Sequence, residues 1–305
     1  SIFAAIDIGS YNCRLTIVKK IKQELKIIHN FSYPTNLIKN LSFNNEFTFK
    51  NTLTTLDCLE KMANKLKQFK VQRYRCIATE ACRQVINPEF FVKLVKTKTN
   101  LDVEIISTFE EAKLSFKSCS TYVKHIKDKG IIFDIGGGST ELTIFCNNLK
   151  SFKTRSISYG VINLFEKKEL YGMRQVESGL RNHFISIKND FLDKSDLKLK
   201  SIGSCSTATT LCAIYKSLKY FNLKKIEGCE IEKDKFLKVA DKVTMMTNDE
   251  LKKNPCVKSK YKLLKNGVII LKFILDILPI DKVVISNKGL RDGILKDFLD
   301  EDEEN

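Results

Sequence analysis

The 305-residue chain has no tryptophan and only three histidines, His29, His125 and His183. None of its ten cysteines forms a Cys-x-x-Cys pair. Zinc sites are built from closely spaced Cys and His, so these absences argue against one. No apolar run reaches the roughly 18 residues that a membrane-spanning helix needs. The opening Ser1-Ile2-Phe3-Ala4-Ala5-Ile6-Asp7 is apolar, but no basic region precedes it and Asp7 interrupts it. It reads as a buried strand and not as a signal peptide. Most of the cysteines sit inside apolar runs. They are expected to be reduced, buried thiols of a cytoplasmic protein and not a disulfide framework. No low-complexity linker divides the chain.

What is present is a hydrophobic fraction of 43%, enough for a real core in one large domain or two ordinary ones. The formal charge is +16. An excess of that size fits a polyanionic partner, an anionic surface or a lysine-biased proteome. The lysines run along the whole chain, so a local motif has to decide. The missing tryptophan and the lack of a common nucleic-acid module argue against nucleic acid as that partner.

The chain contains an internal repeat. Asp7-Ile8-Gly9-Ser10-Tyr11-Asn12-Cys13-Arg14-Leu15-Thr16-Ile17-Val18 resembles Asp134-Ile135-Gly136-Gly137-Gly138-Ser139-Thr140-Glu141-Leu142-Thr143-Ile144-Phe145 at one fixed offset. Each copy follows an apolar strand, Phe3 to Ile6 or Ile131 to Phe133. Each leads into two more strands, the last being Leu25 to Ile28 or Ser151 to Ile157. Helical spacing marks Leu53 to Leu66, Pro88 to Val95, Glu110 to Cys119, Gln175 to Phe191, Thr207 to Leu218, Lys235 to Met246, Lys265 to Leu278 and Leu290 to Leu299. Strands at Tyr74 to Ala78, Val103 to Ile106, Lys200 to Ile202 and Val283 to Ser286 alternate with them. The alternation predicts an α/β protein of two related lobes. Residues 1–123 form the first lobe and 124–305 the second, with the closing helix near 290–300 packing back on the first. Asp300 to Glu304 is read as a frayed acidic tail.

Three glycines, Gly136, Gly137 and Gly138, let the backbone turn tightly and bring its N–H groups onto an anion. Ser139 and Thr140 add hydroxyl donors. Asp134 and Glu141 flank the turn and could hold a hard cation such as Mg²⁺. The paired loop at Asp7, Gly9, Ser10 and Asn12 would face the same interlobe cleft, with Asp7 and Asp134 converging on the metal. A third element, Ile202-Gly203-Ser204-Cys205-Ser206-Thr207, is a strand, a small-residue turn and a helix start. Such a start can receive an anion, or Ser204 or Ser206 can simply cap the helix. Glu110 and Glu111 open a helix, where carboxylates also merely complement the dipole.

Taken together these motifs resemble the exopolyphosphatase/guanosine pentaphosphate phosphohydrolase (Ppx/GppA) family in its short, two-lobed form. That family has the actin-like (ribonuclease H-like) fold of the acetate and sugar kinase/chaperone/actin superfamily. The resemblance runs through Ala5 to Ser10, Ala78-Thr79-Glu80-Ala81-Cys82-Arg83, Glu110-Glu111-Ala112, Phe133 to Leu142, Ile202 to Leu211 and Ile285 to Leu295. It implies release of the terminal phosphate from polyphosphate or pppGpp, assisted by Mg²⁺ or Mn²⁺. Glu111 corresponds to the base that orients water, with Glu110 the alternative if the register slips by one. Asp134 and Glu141, with Asp7, match metal-associated acids. Arg83 matches a phosphate-contacting arginine, and Gly136 to Ser139 match the main phosphate loop. The resemblance also implies a cytoplasmic homodimer.

Three positions depart from the family pattern. Tyr11 stands where an Asn is common, Lys113 replaces an Arg, and Ser206 replaces a Gly of the third loop. Lys keeps the charge of Arg but loses its bidentate fork. Ser206 would be strained if the loop needed a left-handed residue there. Longer relatives carry further C-terminal domains, so a chain ending soon after Leu299 is expected to prefer short chains or pppGpp. Two other readings stand beside hydrolysis. One is an actin-like ATP-dependent kinase, against which the Glu110-Glu111 pair argues. The other is a sensor that binds pppGpp or polyphosphate without turnover.

Overall fold

The computed structural model describes residues 1–147, 150–257 and 260–304. They form two compact units, one of residues 1–118 and 288–305, the other of residues 119–287.

In chain order the first unit holds β1 (Ile2–Ile8), β2 (Asn12–Ile21), β3 (Glu24–Pro34), α1 (Leu41–Asn44), α2 (Phe49–Gln68), β4 (Arg73–Ala78), α3 (Glu80–Gln84), α4 (Pro88–Thr99), β5 (Val103–Ile105) and α5 (Thr108–Ser118). The second holds α6 (Ser120–Val123), β6 (Lys129–Ile135), β7 (Thr140–Cys146), β8 (Ser151–Ile157), α7 (Asn163–Tyr171), α8 (Met173–Phe191), β9 (Leu199–Gly203), α9 (Ser206–Tyr215), α10 (Leu223–Ile226), β10 (Glu230–Glu232), α11 (Lys233–Met245), α12 (Asn248–Lys253), α13 (Tyr261–Ile277) and β11 (Ile280–Ile285). The chain then returns to the first unit with α14 (Leu290–Glu304).

The first sheet has the order β3-β2-β1-β4-β5, and the second the order β10-β11-β9-β6-β7-β8. Apart from the added edge strand β10, the two orders are the same. In each unit a hairpin of three antiparallel strands continues into parallel strands joined by helices. The first strand of each unit is buried on both faces, as an apolar run with neighbours on both edges requires. β3 alternates with exposed residues, as an edge strand does. The repeat seen in the sequence is a repeat of register. Asp7 pairs with Arg14 across β1 and β2, and Asp134 pairs with Glu141 across β6 and β7.

The second unit begins at Cys119, earlier than the sequence division at 123 and 124. Side chains explain the difference. Asn147 Nδ2 donates to the carbonyls of Val123 and Ile126, and the Tyr122 hydroxyl donates to Glu227. These bonds tie α6 to the second sheet. In the first unit, Ile294, Leu295 and Phe298 of α14 pack with Phe3, Ala5, Ile106 and Leu114. The acidic tail is helical through Glu304 and not frayed. Its carboxylates meet cations: Asp300 pairs with Lys117, Glu301 with Arg73 and Asp302 with Lys20. None of the ten cysteines is in a disulfide, and eight are buried. Among the described residues no helix is long and apolar enough to cross a membrane.

Candidate active site

Helix α5 separates the two adjacent glutamates. Ser107 receives the Glu110 N–H at 3.1 Å and so closes the open end of the helix. Glu110 then lies toward Arg75, which donates to it at 3.1 Å while also holding Glu104. Glu111 turns inward and is 8% exposed. Arg83 Nη2 donates to its Oε2 at 2.7 Å. The same guanidinium reaches Glu80 at 3.0 Å and the Ile106 carbonyl at 2.8 Å. Burial would lower the Arg83 pKa, but Glu111 and Glu80 outweigh it and hold the pKa above the usual value. Arg83 therefore spends most of its donor fork on protein acceptors. Here it acts on Glu111, as the group that fixes the carboxylate's place.

The loop from Gly9 to Asn12 closes with Gly9 N–H on the Asn12 carbonyl at 3.0 Å, and the loop from Gly136 to Ser139 with Gly136 N–H on the Ser139 carbonyl at 2.9 Å. The carbonyls within each loop are tied by the segment after the third strand. Ser10 O accepts from Ile38 N, and Tyr11 O from Thr35 N and Asn36 N. Gly136 O accepts from Val161 N, and Gly137 O from Ile162 N. A trans peptide points its C=O and N–H in opposite directions. Tying the carbonyls therefore turns the following N–H groups the other way, toward whatever the loop presents.

Side-chain hydroxyls contribute less than the sequence suggests. Ser139 Oγ donates to Glu141 at 2.6 Å, and Ser156 Oγ donates to the same oxygen at 2.8 Å. Thr140 is fully buried and gives its proton to the Tyr159 carbonyl at 2.7 Å. Each hydroxyl has one proton, so both are already committed and the loop's donors are its backbone amides.

Asp7 sits among cations. It is 8% exposed and faces Arg14 across the hairpin and Arg291 from α14. Burial raises the Asp7 pKa above the usual carboxylate value, and the two arginines oppose the rise. Arg291 is steadied by a 2.6 Å bond to Thr16 Oγ1. Its pKa is lowered by burial and by Arg14, against Asp7 and Asp292. Neither arginine was singled out from the sequence. The signal was there in the repeat, because Arg14 occupies the position that Glu141 holds in the second copy.

In the third element Ser204 N–H bonds to the Phe133 carbonyl at 3.1 Å, next to Asp134. Its hydroxyl is buried with no partner among the described residues. Cys205 is the residue before α9 and makes no capping bond. Burial and nearby Asp134 push its thiol up to about 12. Ser206 is the first helical residue and Thr207 is buried behind it. Capping therefore does not account for Ser204 or Ser206. Ser206 has no positive φ, so the strain expected of it does not arise.

Among the described residues no group of three or more His, Cys, Asp or Glu is gathered to hold a metal. The cross-strand pair Asp134 and Glu141 is the carboxylate couple that the second loop offers.

Residues 16–302 match the model of the Ppx/GppA phosphatase family. The chain is 26% identical over 319 residues to the bifunctional 3-dehydroquinate synthase/phosphatase of Fusobacterium nucleatum, covering 96% of this chain and 46% of that one. It is 24% identical over 308 residues to the guanosine-5'-triphosphate,3'-diphosphate pyrophosphatase of Vibrio parahaemolyticus, covering 98% and 60%. The chain thus spans about half to three fifths of these curated relatives. The crystal structure of the Aquifex aeolicus Ppx/GppA family member superposes with a TM-score of 0.78 at 25% identity, over 98% of both chains. An exopolyphosphatase from Cytophaga hutchinsonii shares the fold at a TM-score of 0.84 and 19% identity, over 99% of this chain and 98% of that one. The expected α/β fold of two actin-like units is borne out, and the chain belongs to the Ppx/GppA phosphatase family.

Proposed function

We propose that this chain is a phosphohydrolase that releases the terminal phosphate of a phosphate chain, either inorganic polyphosphate or pppGpp. The observation that carries the reading is the Gly136–Ser139 loop, whose carbonyls are tied so that its amides are turned outward. Such amides bind phosphate oxygens and stabilise charge that develops on them. The Gly9–Asn12 loop has the same construction and the same role. Ser204 supplies a hydroxyl that has no partner among the described residues. The name of the Vibrio relative, a guanosine-5'-triphosphate,3'-diphosphate pyrophosphatase, supports the substrate class.

Glu111 is the base. Its carboxylate, held by Arg83, orients a water and takes a proton from it as the water oxygen bonds to the terminal phosphorus. The bond to the bridging oxygen breaks, and the shortened chain leaves with that electron pair. Arg83, itself held by Glu80, keeps Glu111 from swinging toward solvent. Arg14 has no carboxylate within ion-pair distance among the described residues and is the cation that the first loop offers a phosphate.

The donor set fits Mg²⁺ or Mn²⁺ at Asp134 and Glu141, because Mg²⁺ is usually held by one or two carboxylates together with substrate phosphates and water. Bound there, the ion would neutralise phosphate charge. Asp7 fits such an ion less well, since two arginines already face it.

Hydrolysis in H₂¹⁸O tests the reading. With tripolyphosphate or pppGpp and Mg²⁺, the released orthophosphate should carry one ¹⁸O per turnover. Transfer of unlabelled phosphate to an added acceptor, with no labelled orthophosphate released, would point to a kinase. Binding without any release would point to a sensor.

A further inference from the structure

We propose that Asn163 is the positioning residue of the Gly136–Ser139 loop, and that its carboxamide sets the loop's affinity for phosphate chains. The inference rests on the phosphohydrolase reading above. Asn163 opens α7 and is 2% exposed. Its Oδ1 accepts the Gly160 N–H at 2.7 Å. Its Nδ2 donates to the Gly138 carbonyl at 2.6 Å and to the Ser158 carbonyl at 3.3 Å.

These bonds complete a series. Val161 N and Ile162 N hold the Gly136 and Gly137 carbonyls at 2.9 Å each, and Asn163 holds the third, that of Gly138. Each tie turns the next amide outward, so Asn163 governs the Ser139 N–H. The first two ties are backbone to backbone. The third comes from a side chain, so it can be altered without altering the backbone. In the first unit the corresponding carbonyl, Tyr11 O, is held by the backbone N–H groups of Thr35 and Asn36. Dependence on a carboxamide is thus a property of the second loop.

The surrounding packing leaves the loop no slack. A Cβ on Gly160 would lie 2.4 Å from the Gly137 carbonyl carbon and oxygen and 2.6 Å from Gly138 N, so the two segments touch backbone to backbone. Asn266 Nδ2 braces the clamp by donating to Val161 O at 2.8 Å, and Lys168 Nζ donates to Asn266 Oδ1 at 3.2 Å. A rigid, tied loop keeps its amides in place before the anion arrives, which is where affinity is gained.

Asn163→Asp tests this, because a carboxylate still accepts from Gly160 but repels the Gly138 carbonyl. A protonated carboxyl donates to it again. Binding of tripolyphosphate, measured by calorimetry as the ratio to wild type, should weaken by about tenfold to a hundredfold at pH 8. The deficit should shrink as the pH falls toward 5.5. Asn163→Ala should lose affinity by a similar factor with no rescue by acid, and KM should rise more than kcat falls. A merely structural residue would show no acid rescue. No deficit, or a deficit that does not shrink on acidification, overturns the proposal while leaving the hydrolase reading intact. Wild-type protein that binds neither tripolyphosphate nor pppGpp overturns both. If neither variant folds, the ¹⁵N amide resonances of Gly138 and Ser139 in wild-type protein decide. They should shift on adding tripolyphosphate, and unchanged resonances overturn the proposal.

Discussion

Replacing Arg83 with methionine removes the group that Glu80 and Glu111 share. Arg83 donates to Glu111 at 2.7 Å, reaches Glu80 at 3.0 Å and bonds the Ile106 carbonyl at 2.8 Å. The side chains of Arg83, Glu80 and Glu111 are 19%, 12% and 10% exposed, so solvent screening is weak. Breaking a buried pair by deleting one partner costs about 3–5 kcal/mol, because the remaining charge stays buried. At about 2–4 °C per kcal/mol for units of this size, the melting temperature should fall by roughly 6–20 °C. Two carboxylates left side by side resist carrying two negative charges. The acid limb of the phosphate-release profile should therefore move to higher pH, with activity at pH 7 lost more than activity at pH 9. Arg83→Lys should fall between, since an ammonium keeps the charge but not the fork that spans three acceptors. A melting temperature within 2 °C of wild type, together with an unshifted pH profile, would refute the assignment of Arg83 as the group that holds Glu111.

Gly293 explains part of the closing motif. A Cβ there would lie 2.3 Å from the Leu114 carbonyl oxygen in α5, the helix that carries Glu111. Gly293→Ala should therefore destabilise by about 1–3 kcal/mol by overpacking, seen as a lower melting temperature, and should lower kcat. Burial raises the folded-state pKa of Asp7 above 3.8 despite Arg14 and Arg291, so the folded protein holds that proton longer than the unfolded chain. Asp7 thus costs stability as the pH rises through this range. The melting temperature of Asp7→Asn relative to wild type should rise as the pH climbs above 3.8, and a flat difference would contradict the shift. Burial, with Lys167 and Arg155, lowers the His183 pKa below 6.5. Folding then favours the neutral ring, and stability is lost as the pH falls below 6.5. Its ring resonances should titrate below 6.5 by NMR.

The parts of the fold visible in the sequence are those set by local pattern. The strand read at Ser151 to Ile157 is β8 as found, and the paired Asp-Ile-Gly hairpins share one register. Boundaries moved where a cap decides. Helix α2 begins at Phe49, ahead of the Leu53 periodicity, because Thr48 accepts from Asn51 N. Helix α7 was missed because its buried residues, Asn163, Leu164 and Glu166, follow no apolar stripe. Strand β10 is three residues that take their structure from pairing with β11. In the site, Asp134 and Glu141 stand out by residue type, as acids flanking a glycine turn, whereas Glu111 is picked out only by the family resemblance. The contacts were not legible, because Arg83 meets Glu111, Ser156 meets Glu141 and Asn163 meets Gly138 across long stretches of sequence. Two hydroxyls read as phosphate donors, Ser139 and Thr140, are committed to Glu141 and Tyr159, a choice that only packing reveals.

The most direct test of the central claim is phosphate release from tripolyphosphate and from pppGpp, side by side with Mg²⁺, by wild-type protein and by Glu111→Gln. The substitution keeps the shape of the side chain and removes its ability to take a proton. Wild-type protein should release phosphate from at least one substrate, and the variant about 10²-fold or more slowly, the scale of a lost general base. Equal release by both proteins, or none from a folded wild type, would contradict that claim.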